Sequence, residues 1–215
     1  GMYFWSIKKA SKCGDCTGYT FIGNPIGKKM SLIETWKLFS TTLKKKGYTP
    51  INRYPVVARW NPTSDFTIGS ISNFQPYVVS GEVDPPANPL TVAQPSLRFQ
   101  DTDNVGITGR HMVCHIHMGQ FGIWPDKEYD QEAMLRSIIY WIEKGAEIPL
   151  DEIKFHEEAW GGGGNLGVAL EYFCRGLELG NQVYTMYEVL PNGTYTDLKK
   201  KSLDMGSGQE RYPWL

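Results

Sequence analysis

Residues 94–120, QPSLRFQDTDNVGITGRHMVCHIHMGQ, constrain this chain more than any other stretch. The pattern predicts a strand over residues 90–99, a loop, and a second strand over residues 112–118. Two guanidiniums (Arg98 and Arg110) and three imidazoles (His111, His115 and His117) flank that one loop. Alternate residues of a strand share a face, so His111, Val113, His115 and His117 are expected to point the same way. Such a set is a poor inventory for a dry core, where unpaired charge is costly. It suits the binding of an anion, because arginine offers phosphate a fork of donors and a permanent charge. The loop itself supplies Asp101, Asp103, Asn104 and two glycines.

The remainder of the chain reads as helix, strands, helix, strands. Residues 32–46 carry the clearest helix signal: Ser31 with Glu34 forms a capping box, Trp36, Phe39 and Leu43 fall on one face, and Gly47 ends it. The lysines at 44–46 suit the negative end of the helix dipole. Residues 50–58 read as a strand with Pro55 at an edge or bulge, and residues 65–74 as a further extended piece. The proline-rich connection over residues 76–89 excludes a helix interior. Residues 130–144 form a second amphipathic helix with Met134, Leu135, Ile138, Trp141 and Ile142 buried. Residues 153–156 make a short strand, and residues 160–165 (WGGGGN) a glycine loop that allows close backbone approach. Strands are expected over 170–174, 179–189 and 195–198, with a hairpin turn at Pro191-Asn192-Gly193. This order argues for an α+β fold with a mainly antiparallel sheet.

Composition removes several function classes. The chain has 215 residues, an ordinary apolar share and a formal net charge of −1, so it has no global field that would attract nucleic acid or an anionic membrane. No stretch approaches the ~18 apolar residues of a membrane span. Gly1 before Met2 reads as a remnant of tag removal, and the following residues lack the pattern of a signal peptide. Four cysteines in a chain of this length do not make a disulfide framework, which gives the cytoplasm as the expected compartment. Cys114 and Cys174 read as core.

Two metal readings are open. Cys13 and Cys16 form a CxxC, half of a zinc site, and the second pair is missing. His111, His115 and His117, at i, i+4 and i+6 on one strand, are a second possible donor set. A nucleotide cleft accounts for more of the residues. Its second half is residues 204–211, DMGSGQER, where Asp204, Gly206, Gly208 and Arg211 place an acid, two glycines and a second arginine close together.

With these residues in view, the chain resembles a known family. RYPVVARW, FTIGSISNFQPYVVSGEVDPPANPL, QPSLRF, DNVGITGRH, WGGGGNLG and GSGQER are similar to the catalytic domain of archaeal-type alanyl-tRNA synthetase, in the same order from about Tyr3 to Leu215. The resemblance implies a class II synthetase-like fold: a mainly antiparallel sheet flanked by helices. Residues 31–215 would be the catalytic domain, after an irregular appendage over residues 2–30. It also implies ATP and Mg²⁺ as cofactors, a small amino acid (alanine) as substrate, and tRNA or another acceptor as partner.

By position, the resemblance assigns Arg98 and Arg211 as catalytic residues, on the α- and γ-phosphates. Arg110, His115, Gly206 and Gly208 join them in binding ATP. Trp160, Asn181, Asp204 and Gly206 would bind the amino acid, with Asp204 facing its ammonium. The chain departs from the family at His115-Ile116-His117, where the family usually has Phe-Glu-Met. A catalytically altered paralogue, binding nucleotide, amino acid or a protein partner without aminoacylation, is the alternative expectation.

Overall fold

The computed structural model describes residues 3–13, 16 and 23–215. Gly14 and Asp15, the middle of the CxxC, lie outside them, as does Met2. Among the described residues, three α-helices and eight strands follow in the order β1 (Phe4–Ser6), α1 (Leu32–Lys44), β2 (Thr49–Pro50), β3 (Leu90–Leu97), β4 (Cys114–Pro125), α2 (Gln131–Tyr140), β5 (Ile153–Gly162), β6 (Asn165–Cys174), β7 (Leu177–Val189), β8 (Tyr195–Gly208) and α3 (Arg211–Trp214). The strands form one sheet in the order β1-β5-β6-β7-β8-β4-β3-β2. Every pairing is antiparallel except the short edge pair β2–β3. This is the α+β architecture with a mainly antiparallel sheet that the sequence predicts.

The two faces of the sheet have different covers. On one, α1 and α2 bury Phe39, Leu43, Ile138 and Trp141 against Met118, Tyr172, Leu179 and Met205. On the other, Ile71, Phe74, Val78 and Val79 pack on Leu90, Val92, Phe121 and Ile123. The Phe74 and Phe121 rings stack at 4.1 Å. Only part of this second face is covered, and the bare remainder holds the cleft described below.

Helix α1 begins as expected. The Glu34 N–H donates to Ser31 Oγ at 3.3 Å and the Ser31 N–H donates to Glu34 Oε2 at 2.8 Å, so two otherwise orphaned donors are satisfied. We expect Ser31→Ala to cost about 1 kcal/mol, read as a lower urea midpoint with an unchanged denaturant slope. An unchanged midpoint would show the cap to be redundant. Helix α2 ends in a π-helical turn, Trp141–Gly145. Gly145 is required there because a methyl on it would overlap the Trp141 ring. Leu135, expected in the buried stripe, is only half buried.

Several local expectations are corrected. Of residues 50–58 only Pro50 joins a strand of the sheet, as the second residue of Thr49–Pro50; Pro50 and Pro55 lack an N–H and cannot continue a ladder. Residues 65–74 hold one isolated bridge, Val57 with Phe66, and a 3₁₀ turn at Ser70–Asn73. Within residues 2–30, Phe4–Ser6 pairs with β5, and backbone bonds join Ile26 to Leu215 and Lys28 to Ala146. The WGGGGN segment is a hairpin, not a loop. Gly163 and Gly164 have φ of +58° and +82°, the left-handed pair that a tight two-residue hairpin turn demands. The strand before it and the one after it are therefore ten residues each. Strand β8 runs on to Gly208, so the glycines of DMGSG are strand residues. Cys174 is buried, but Cys114 is exposed because β4 starts there, beyond the reach of the core.

Candidate active site

A cavity of about 390 Å³ opens on the bare part of the second face. Strand β3 and its extension bring Arg98 to it; β4 brings His115 and His117; β7 brings Glu178 and Asn181; β8 and the turn after it bring Gly206, Gly208 and Arg211. Arg110 and His111 reach it from the loop. Nine of the predicted residues therefore meet at one place. Asp204 and Trp160 are not among the cavity's lining residues. Trp160 stands one strand beyond β6, its ring against Gly162.

Arg98 is held at the end of β3, where its N–H donates to Val113 O at 2.9 Å and its Nε to Ile68 O at 2.8 Å. By surface area it is exposed, yet protein atoms crowd its guanidinium, as expected on the wall of an open cleft. That crowding lowers its pKa; Arg211 lowers it further, while Glu178 and Asp204 oppose. Arg211 is anchored by the Glu178 backbone carbonyl and by Glu178 Oε2 at 3.0 Å. Arg110 donates to Gly176 O at 3.2 Å. Three guanidiniums from three segments thus face one space.

Opposite them lies a buried polar cluster. The pairing register sets Gly119 of β4 beside Gly206 of β8. Two glycines side by side leave a depression in the sheet. Ser70 fills the Gly119 side and the His117 ring fills the Gly206 side, for a methyl at either glycine would overlap them. The Ser70 N–H donates to His117 Nδ1 at 2.9 Å, so the neutral ring carries its proton on Nε2. Ser70 Oγ lies 3.1 Å from Asp204 Oδ1 and 3.1 Å from His117 Nδ1. Burial raises the Asp204 carboxyl to about 7, against the Ser70 hydrogen bond and Arg98, which lower it. Burial pushes His117 well below its usual range, with Arg98, His115 and Arg211 adding to the effect. His115, half buried, is lowered to about 4 by burial and then by Arg98 and Arg211.

His111 departs from expectation. Strand β4 begins three residues after it, and its Nδ1 lies 2.6 Å from Thr108 Oγ1 within the loop. It therefore does not share the His115–His117 face. Among the described residues no group of three or more His, Cys, Asp or Glu side chains could hold a metal ion, so His111, His115 and His117 do not form one. At the other cysteine pair, the Cys16 N–H donates to Cys13 Sγ at 3.4 Å.

The profile of the family described as tRNA synthetases class II (A) matches residues 36–173. The chain belongs to this family. Among curated relatives of this class II chain, the alanine–tRNA ligase of Methanocella arvoryzae is 46% identical, covering 100% of this chain and 25% of its own length. Those of Pyrobaculum aerophilum and Methanothermobacter thermautotrophicus are each 42% identical, covering 99% and 100% of this chain and 25% and 24% of their own lengths. This chain thus spans about a quarter of the curated relatives it matches. The pyrrolysyl-tRNA synthetase from Desulfitobacterium hafniense superposes with a TM-score of 0.53 at 14% identity, covering 85% of this chain and 68% of that one; that likeness carries the fold. Among the described residues no helix is long and apolar enough to cross a membrane.

The cavity and the buried cluster beside it also contain residues that carry no signal in the sequence. Ser70 lies 47 positions from His117 and 134 from Asp204, inside a segment expected to be extended. Glu178, anchoring Arg211, and Trp214, whose ring covers Gly109, carry no motif of their own. The φ of +71° at Gly109 is possible for glycine with little strain, and the glycine-arginine-histidine run was its only signal.

Proposed function

We propose that this chain, acting in the cytoplasm, activates a small amino acid, alanine first, as an aminoacyl-adenylate at the expense of ATP, with residues 31–215 as the catalytic unit. The observation that carries this reading is the convergence of Arg98 and Arg211, from opposite sides of β4 and β8, on one cavity that Asn181 also lines. The alignment of the whole chain with alanine–tRNA ligases supports alanine as the substrate and tRNA, or another acceptor, as the eventual recipient.

In this reading a carboxylate oxygen of the amino acid attacks the α-phosphorus of ATP. The bond from that phosphorus to the bridging oxygen breaks, and pyrophosphate leaves with the electron pair. Arg98 holds the α-phosphate and the attacking carboxylate together, and Arg211, braced by Glu178, holds the γ-phosphate. Catalysis is positioning and charge stabilisation, strongest where water is excluded. Arg110, His115 and Gly208 complete the nucleotide's contacts. Asn181, Asp204 and Trp160 are assigned to the amino acid, Asp204 to its ammonium. Mg²⁺ takes one or two carboxylates together with phosphate oxygens. Glu178, on the cavity wall, fits that need, and the ion would neutralise charge on the leaving pyrophosphate.

Pyrophosphate exchange, screened over the amino acids with folded protein, tests the proposal. ATP formation dependent on alanine or another small amino acid is the expected result. No exchange with any of them ends it. A second reading, binding without turnover, is favoured by two contacts: Asp204 is already bonded to Ser70, and His117 already lies on Gly206. Calorimetric ATP binding without exchange would select it.

A further inference from the structure

The depression over Gly206 is filled by the chain itself. Gly206 and Gly119 are neighbours across β8 and β4, and nothing in their backbone angles calls for glycine. Space is what they provide. The His117 imidazole takes the share over Gly206 with Cε1 and Nε2 against the backbone. It is 9% exposed, held by the Ser70 N–H, and flanked by Gly69, whose added methyl would come within 3.3 Å of Cε1. The ring is therefore fixed from three sides.

The fourth side is open. His117 also lines the cavity that contains Arg98, Arg211 and His115, and the His115 and His117 rings meet edge to face with centroids 6.0 Å apart. A rotated His117 ring has that cavity to enter. The phosphate-binding arginines stand outside the depression and need no such movement.

We infer that the His117 imidazole is a displaceable occupant of the Gly206 surface, and that a small amino acid reaches that surface only when the ring swings into the cavity. This rests on the proposed amino-acid site. The ring separates two halves of the cleft: an outer half, ready for a nucleotide's phosphates, and an inner half, closed until Ser70 N–H gives up its acceptor. Free amino acid must do the work of displacement, which lowers its apparent affinity by the fraction of molecules already open. Removing the ring removes that cost.

Calorimetry with alanine and with ATP, on wild type, His117→Ala and the small polar variant His117→Ser, reads the effect. The expected result is alanine bound at least ten-fold tighter by either variant, with ATP affinity changed less than three-fold. Unchanged or weaker alanine binding, with ATP still bound, overturns this inference alone; failure of wild type to bind ATP counts instead against the proposed function. A stability cycle tests the ring's position without any ligand. Gly206→Ala should lower the melting temperature sharply in wild type and much less in the His117→Ala background. Additive effects would mean that the ring does not occupy the depression, and would also overturn the inference.

Discussion

Arg98→Ala should lower amino-acid-dependent pyrophosphate exchange by about 10²–10³-fold, the usual loss when one preorganised donor to developing charge is removed. The structure explains why one side chain carries so much. Its Nε is tied to Ile68 O, which holds the side chain against the cavity it lines. Its backbone is pinned to Val113, so the loop cannot carry it away. A ligand filling the cleft would complete the desolvation that the open wall only begins, strengthening each contact to phosphate. Arg98→Lys should recover little of the loss, because one ammonium cannot hold Ile68 O and grip a phosphate with a planar fork. Thermal stability should be nearly unchanged in both variants, since Arg98 is exposed and belongs to neither core cluster. Exchange within three-fold of wild type in Arg98→Ala would remove Arg98 from the chemistry.

Asp204→Asn should make the protein more stable at pH 7.5 by up to about 4 kcal/mol, the free-energy equivalent of raising a buried carboxyl from 3.8 to about 7. The sign follows from the direction. A raised folded-state value means that Asp204's contribution is intact below about pH 3.8 and is lost as pH climbs through 7. The groups facing it act in the opposite sense. His115 and His117 are lowered from 6.5, so their contribution is intact above that pH and is lost as pH falls. Arg98 and Arg211 hold both histidines down; Glu178 is engaged with Arg211. Wild type should therefore show a flattened stability profile between pH 4 and 7. Asp204→Asn should show only the histidine limb, its advantage shrinking towards pH 4. Urea titrations across that range measure the difference. A gap between the two proteins that does not vary with pH would mean that Asp204 does not titrate in this window.

Local chemistry was legible in the sequence where a signal and its partner lie within a few residues. Ser31 and Glu34 announced α1, and Pro191-Asn192-Gly193 announced the β7–β8 turn, whose Gly193 has a φ of +82°. The arginines of the central hairpin and of DMGSGQER stood out by residue type as candidate anion ligands, and their meeting at one cavity followed from the family resemblance. Glycine was the weak point. At 163 and 164 it makes a tight turn joining two long strands, at 119 and 206 it makes room, and at 109 it carries the Trp214 ring; the letter is the same in all five places. The occupation of Gly206 by His117 depends on the β4–β8 register and on Ser70 arriving from another segment. No spacing within β4 encodes either one.

The sheet's outer strands bear on behaviour in concentrated solution. β1 offers three residues and β2 two. Beyond β1, the free edge of β5 carries Glu157 and Glu158 and ends in glycines. On the opposite margin, Pro95 has no N–H to offer, and the Thr67 hydroxyl donates to its carbonyl. Among the described residues, the stretch of β5 beyond β1 runs from Glu157 to Gly162 and so carries both those charges and the glycines. Rows of unpaired backbone groups are the templates on which chains add strand to strand into polymers, and brevity, charge and proline all blunt them. At both margins of this wide sheet, the features that blunt strand addition thus sit where the outermost strands stop short.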